Sequence, residues 1–200
     1  MPGARVASGE RITLRTVESE DVPFLQRAFA NPGIRYPIGN PVRNREGIDV
    51  ADDDAGSDDF LVCLDGVDAG PGRPDEDDVR RLGAVHVADA DWRRPDLGYW
   101  LVPEVHGEGH GSEAVSLLVD HVFRTYDHPA VGAVAYDHPA VGAVAYDFND
   151  ASRGLLESLG FAEEGRIRKD RFVDGEYVDT VQYGLLRREW REREDSVTSR

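Results

Sequence analysis

Hydrophobic and polar positions change period several times along the chain, and the changes mark out its elements. Arg11 to Val17 (RITLRTV) sets Ile12, Leu14 and Thr16 against Arg11, Thr13 and Arg15, the two-residue period of a half-buried strand. From Glu18 to Ala30 the period becomes helical, with Val22, Leu25, Ala28 and Phe29 on one stripe. Ser19 or Asp21 caps that helix, and Asn31-Pro32-Gly33 stops it. Residues 33–58 are rich in Gly, Pro, Asn and Asp and read mainly as loop, with one short helix near 46–51. Phe60 to Leu64 (FLVCL) is a buried strand, followed by a polar, Gly/Pro-rich connection from Asp65 to Arg81. Leu82 to Ala88 and Leu97 to Val102 predict two more strands, and Glu113 to Arg124 a helix with Ala114, Leu117, Leu118 and Val122 on one face. Val141 to Tyr146 reads as a strand leading into a helix over Ala151 to Leu159, which Gly160 ends. Gly165 to Phe172 and Val178 to Leu186 flank Asp174-Gly175, a hairpin signal. Residues 1–9 and 191–200 read as flexible tails.

This order predicts an α/β fold of the α+β type, with a mixed, mainly antiparallel central sheet flanked by helices. One domain over residues 10–190 accommodates it. The decapeptide YDHPAVGAVA stands at 126–135 and again at 136–145. Two copies do not make a solenoid, and the repeat reads as a tandem duplication. Only the second copy runs into Asp147-Phe148-Asn149 and the next helix, so the strand is assigned to it, and the first copy loops out or pairs at the surface.

Composition narrows the function classes. Asp and Glu total 39 against 23 Lys and Arg, a net charge of -16, and Lys169 is the sole lysine. Such a surface repels nucleic acid and anionic lipid. Because the acidity is spread along the chain, adaptation to a salty, halophilic cytoplasm explains it better than a focused cationic-substrate site. The N-terminus has no apolar signal region, which together with a single cysteine, Cys63, points to a cytoplasmic protein. Cys63 lies mid-strand and reads as a buried core thiol. The scattered histidines predict no metal site.

The segment carrying most chemistry is LGYWLVPEVHGEGHGSEA, residues 97–114. A strand ends, Pro103 turns the chain, and glycines at 107, 109 and 111 precede a helix. Alternating glycines there let several backbone N–H groups converge on an anion, with the helix N-terminus adding positive potential. A pyrophosphate is the natural guest. A plain flexible turn is the competing reading, and the segment lacks the Lys-Ser/Thr of a nucleoside-triphosphate loop. The second segment is NDASRGLLESLGF, residues 149–161, with Asn149 at a strand-to-helix junction and Ser152 in the first helical turn. Helix capping by Asn149 or Asp150 explains those residue types without any ligand.

Taken together, these segments resemble the GNAT superfamily of acetyl-CoA-dependent N-acyltransferases, in particular the branch containing the RimJ/RimL-type ribosomal-protein N-terminal acetyltransferases. The resemblance spans roughly residues 10–190, from ITLRTVESEDVPFL through the two segments to DGEYVDTVQYGLLRREW. It implies a GNAT-like sheet and a cofactor loop over His106 to Gly111. His106 replaces the usual Gln or Arg there, and Glu108 occupies a place often basic. By the same resemblance, amides around Leu101 and Val102 hold the thioester and pantetheine, and those of Gly107, Glu108, Gly109, His110, Gly111 and Ser112 the pyrophosphate. Asn149 binds the pantetheine arm, Ser152 lies near the sulfur, and Arg153 either reaches a phosphate or is a solvated helix arginine.

The activity so implied is direct transfer of acetyl from acetyl-CoA to an amine, a protein N-terminal α-amine or a small molecule, by a monomer or homodimer. No metal, nucleic acid or membrane takes part. The branch's usual tyrosine, four residues before the last helix's Gly-Phe, is Leu156 here, so Ser152 becomes the candidate proton donor. Asp96, His86 and Glu104 are candidate bases. Two other classes stay open: a non-catalytic acyl-CoA-binding module and a nucleotide-binding regulatory domain using the same loop.

Overall fold

The computed structural model describes residues 2–48, 50, 57–72, 74–90, 94–126 and 140–198. Its elements in chain order are β1 (Arg5–Ser8), β2 (Thr13–Thr16), α1 (Val22–Ala30), α2 (Pro32–Ile38), β3 (Asp58–Asp65), β4 (Val79–Ala88), β5 (Asp96–Leu101), α3 (His110–Thr125), β6 (Ala140–Tyr146), α4 (Asp150–Ser158), β7 (Ala162–Val173), β8 (Glu176–Leu186) and α5 (Arg187–Thr198). Short 3-10 turns stand at Ser19–Asp21, Arg45–Gly47, Glu76–Asp78 and Pro103–Val105. The strands hydrogen-bond in the order β1-β2-β3-β4-β5-β6-β8-β7. The sheet is mixed and mostly antiparallel, with helices flanking it, as the alternation of strand and helix periods predicted. The chain folds as two compact units interleaved in sequence: Met1–Asp54, Asp58–His86 and Tyr99–Leu118 in one, and the rest, chiefly Val87–Gly98 and Val119–Arg200, in the other.

In the first unit, β2 pairs antiparallel with both β1 and β3, with Leu14 opposite Val62. Val22 and Leu25 of α1 pack with Ile48, Leu61, Cys63 and Val79. Phe24 and Phe29 close on Trp100 at centroid distances of 5.7 and 5.8 Å. Each fully buried aliphatic side chain contributes about 1.5–3 kcal/mol. Cys63 is a core thiol, as expected, and burial pushes its pKa up to about 12, far from nucleophilic use. The expected side-chain cap of α1 by Ser19 or Asp21 is not made; Asp21 instead closes the 3-10 turn before α1 by accepting the Glu18 N–H at 2.9 Å, and Arg81 pairs with its buried carboxylate at 2.7 Å.

Three further expectations fail in this unit. Arg15, expected on the polar face of its strand, has no exposed surface. Its guanidinium meets both oxygens of Asp65 and the carbonyls of Gly3, Gly70 and Gly72, so the buried charge is matched on every side. Residues 1–9 are not a flexible tail, because Arg5–Ser8 is a strand. Arg5 pairs with Asp65 at 2.9 Å and its N–H donates to the Pro71 carbonyl. The stretch expected as loop from 33 onward begins with α2, for which Asn31 accepts the Gly33 N–H at 2.9 Å and Pro32 occupies the first turn. Of the helix expected near 46–51, the described residues hold the 3-10 turn Arg45–Gly47, and residues 49 and 51 lie outside them.

In the second unit, β5 runs parallel to β6 at Asp96↔Gly142 and Leu97↔Ala143. The strand does fall in the second decapeptide copy; residues 127–135 of the first lie outside the described residues. β6 pairs antiparallel with β8, bringing Gly142 opposite Gly184. The space a side chain would take beside each glycine is occupied by the ends of charged side chains. A Cβ on Gly142 would lie 2.5 Å from Asp96 Oδ1 and 3.0 Å from Arg94 Nε, and one on Gly184 would strike the Glu164 carboxylate. Arg94 and Glu164 are themselves paired at 2.6 Å. β7 and β8 form the expected hairpin, turning on Asp174 and Gly175 with φ of 48° and 91°. The second expected tail is also a correction. Residues 191–198 continue α5, which is fixed by Trp190 donating to Asp120 at 2.7 Å and Arg187 to the Phe123 carbonyl at 2.6 Å.

Candidate functional site

Pro103, at the end of β5, starts a 3-10 turn, and the chain then passes through Gly107 and Gly109 into α3. Both glycines have left-handed backbones, with φ of 79° and 83°. Residues with a Cβ disfavour that conformation by about 1–2 kcal/mol. The first bond of α3 is Glu113 N–H to the Gly109 carbonyl at 3.2 Å. Helix geometry therefore leaves the amides of Gly109, His110, Gly111 and Ser112 without a carbonyl one turn earlier. Four unmatched donors at a helix N-terminus, reached through a loop exposed from His106 to Gly109, form a site for an anion.

The side chains around this loop face away from that task. His106 turns its Nε2 to the Leu101 carbonyl at 3.0 Å. Glu108 carries its carboxylate to His110 Nε2 at 3.1 Å, while His110 is 6% exposed and its Nδ1 has no hydrogen-bond partner among the described residues. Val102 departs from its expected role: its N–H already donates to the Leu82 carbonyl at 2.7 Å, which removes it from the donors expected at the strand end. Sequence reasoning missed Arg11 and the carboxylate of Glu113. Arg11 donates to the Glu108 carbonyl and pairs with Glu113 at 3.0 Å. Glu113 also accepts the N–H groups of Arg11 and Ile12. Burial raises the Glu113 pKa, yet these donors outweigh it and hold the carboxyl below its ordinary value. The contact joins residues about a hundred positions apart, and no local pattern signals it.

In the second unit, Asn149 is the N-cap of α4, accepting the Ser152 N–H at 3.1 Å, so the capping reading of this residue holds. Ser152 is partly buried in the first turn. Arg153 is not a simple solvated arginine. It donates to the Tyr183 hydroxyl and the Asp147 carbonyl, both at 3.3 Å, and Tyr183 donates in turn to Glu157 at 3.0 Å. Leu156 is fully buried. Of the candidate bases, Asp96 lies over Gly142, whereas His86 on β4 and Glu104 in the 3-10 turn are exposed.

Comparison with known proteins decides the family. The model of the acetyltransferase (GNAT) domain matches residues 11–162, which include the glycine loop and all of α4. The chain belongs to the GNAT acetyltransferase family. This acetyltransferase is 32% identical to YdaF of Bacillus subtilis (strain 168) over 107 residues, 54% of this chain and only 53% of that protein. It is 27% identical to the uncharacterized N-acetyltransferase YoaA of the same organism, over 89% of this chain and 94% of YoaA. Its fold matches the crystal structure of spermidine N-acetyltransferase from Vibrio cholerae in complex with CoA and spermine. There the TM-score is 0.73 and the identity 18%, over 91% of this chain and 99% of that one. RimL, the ribosomal L7/L12 α-N-protein acetyltransferase in complex with coenzyme A, superposes at TM-score 0.69 and 17% identity, over 91% and 97%. No helix among the described residues is long and apolar enough to cross a membrane, and no group of His, Cys, Asp and Glu there is arranged to hold a metal ion.

Proposed function

We propose that this protein transfers acetyl from acetyl-CoA directly to an amine, either a protein N-terminal α-amine or a small-molecule amine. The observation that carries the reading is the glycine loop. Two left-handed glycines deliver the chain into α3 with four amides unmatched, the arrangement a pyrophosphate needs. The described residues fit the cofactor in another respect, because side chains that would crowd an anion are engaged elsewhere in the first unit. CoA in the spermidine enzyme and in RimL supports this choice of guest, and their acceptors support an amine of either class.

In this reading the free amine attacks the thioester carbonyl carbon, the C–S bond breaks, and the thiolate leaves with a proton. The protein's tasks are alignment, stabilisation of the oxyanion and two proton transfers. Asn149 is assigned to the pantetheine arm and Ser152 to protonation of the thiolate. An α-amine, with pKa near 8, needs little help to lose its proton, whereas a lysine amine near 10.4 needs a base. Leu156 favours a second reading, a non-catalytic acyl-CoA-binding module, because this position offers no proton. Incubation with acetyl-CoA, a panel of peptides and polyamines, and a thiol-detecting reagent separates them. Thiol release that depends on an amine supports the enzyme, and acetyl-CoA binding without release supports the module.

A further inference from the structure

Arg11 stands at the foot of β2, outside every segment of the chain that carries recognisable cofactor chemistry. Its guanidinium nevertheless donates through Nη1 to the Glu108 carbonyl, the one between the two left-handed glycines. Its Nη2 lies 2.9 Å from where a Cβ on Gly109 would be. We propose that Arg11, braced by Glu113, is a positioning residue for acyl-CoA binding: it fixes the Glu108–Gly109 peptide so that the Gly109 amide points toward the cofactor's pyrophosphate.

The geometry leads there in three steps. In a planar trans peptide the carbonyl and the following N–H point in opposite directions. With the Glu108 carbonyl held by Arg11, the Gly109 N–H is directed away from the guanidinium. Glycines on both sides of the Glu108 residue give this peptide an unusually wide choice of orientations, so something must select one. Arg11 selects it, and Glu113 keeps Arg11 in place. One carboxylate oxygen accepts Arg11 Nε at 3.0 Å, while the other accepts the Arg11 and Ile12 N–H groups at 2.8 and 3.3 Å. The Glu113 N–H meanwhile holds the next carbonyl, that of Gly109, at 3.2 Å. Both carbonyls flanking the Gly109 α-carbon are thus held by one ion-paired couple. Charge points the same way. The Arg11 guanidinium also offsets the Glu113 carboxylate at the base of the loop, where a polyanion is to bind.

This inference rests on the acetyl-CoA reading of the loop, and the experiment separates the two. Calorimetry with acetyl-CoA is run on the parent, Arg11→Met and Arg11→Lys, with circular dichroism to establish folding and the Gly109 amide followed by 15N NMR. Arg11 is about half exposed, so both variants are expected to fold. Arg11→Met should weaken acetyl-CoA binding about tenfold or more, the usual scale for one charge-assisted hydrogen bond. Arg11→Lys keeps the charge but not the fork, so most of that loss should remain, and the Gly109 amide should shift in both variants. Full affinity in Arg11→Lys would overturn positioning in favour of bare charge, and full affinity in both variants would remove any role. A parent that binds no acetyl-CoA would overturn the functional reading itself, and this inference with it. Should Arg11→Met not fold, the affinity and amide shift of Arg11→Lys decide the matter.

Discussion

Arg15 and Asp65 form a two-point ion pair inside the first unit, with Nε to Oδ1 at 3.0 Å and Nη2 to Oδ2 at 2.7 Å. The same guanidinium gathers the carbonyls of Gly3, Gly70 and Gly72, and Thr13 adds its hydroxyl to Asp65 at 2.8 Å. One buried charge thereby ties the N-terminal segment and the Gly/Pro-rich connection after β3 to the sheet. Removing one partner leaves the other charge buried and unmatched, which costs about 3–5 kcal/mol. Asp65→Ala should lower stability to that extent in chemical denaturation, and a loss under about 1 kcal/mol would show that the pair is ornamental.

Acid should act through the same pair. Burial raises the Asp65 pKa, but hydrogen bonds from Arg15 and Thr13 and the nearby guanidinium charges bring it below its ordinary value of 3.8. A carboxyl depressed on folding contributes stability that is fully present above its unfolded pKa and lost as pH falls through its folded one. Glu113 is depressed likewise. Unfolding free energy should therefore fall as the pH is lowered below about 4. Asp65→Asn should flatten that limb; an acid limb as steep as the parent's would assign it to other groups.

Gly109→Asp tests the loop directly. At φ of 83° the new side chain strains the backbone and brings a negative charge beside the proposed phosphates. With an effective dielectric near 20, a unit charge about 5 Å away costs roughly 3 kcal/mol, or acetyl-CoA affinity about a hundredfold lower. Gly107→Ala isolates the strain, because a Cβ there has open space, whereas at Gly109 the new side chain also meets the Arg11 guanidinium. Calorimetry on folded protein reads both, and unchanged affinity in Gly109→Asp would take the pyrophosphate out of this loop.

On α4, Asn149→Ala should cost about 1 kcal/mol of stability through loss of the cap, besides its effect on cofactor binding. Ser152→Ala keeps the backbone N–H that the cap uses, so its effect should fall on kcat at saturating acetyl-CoA. Full kcat in that variant would remove Ser152 as the proton donor.

A net charge of -16 predicts that salt stabilises the fold, because repulsion among carboxylates is screened within about 10 Å at 0.1 M and more tightly above it. The melting temperature should rise between low and molar potassium chloride. A flat response would argue against adaptation to salt.

How much of this was legible depended on whether the signal was local. The hairpin at Asp174-Gly175, the helix α3 and the glycine loop are fixed by neighbours in sequence and were found from local signals, although the buried face of α3 takes Val115, Val119 and Phe123 and leaves Leu117 only partly covered. Arg15 was misread because alternation assumes one wet face, whereas this strand is covered on both sides and its polar side chain is neutralised from afar. β1 and α5 escaped for the same reason, since Asp65 and Asp120 supply their anchors from distant segments. α2 escaped because two prolines and a glycine outweighed, in composition, what the Asn31 cap and Pro32 in the first turn actually permit. At the candidate site, the backbone donors were readable from the glycine spacing, but the Arg11–Glu113 brace was not.

The facing pair Gly142 and Gly184 bears on how this sequence tolerates change. Their backbones are ordinary strand, so a propensity scale would welcome alanine or valine at either place. The space such a residue needs is instead filled by Asp96, Arg94 and Glu164, drawn from two other stretches of the chain. A side chain at Gly142 would displace the ends of Asp96 and Arg94, and one at Gly184 the Glu164 carboxylate, so in a randomised library substitutions at 142 and 184 should be enriched alongside shortened residues at 96, 94 or 164. The permitted alphabet at these two strand positions is thus written by charged residues elsewhere, and selection would reveal it as linked pairs of substitutions.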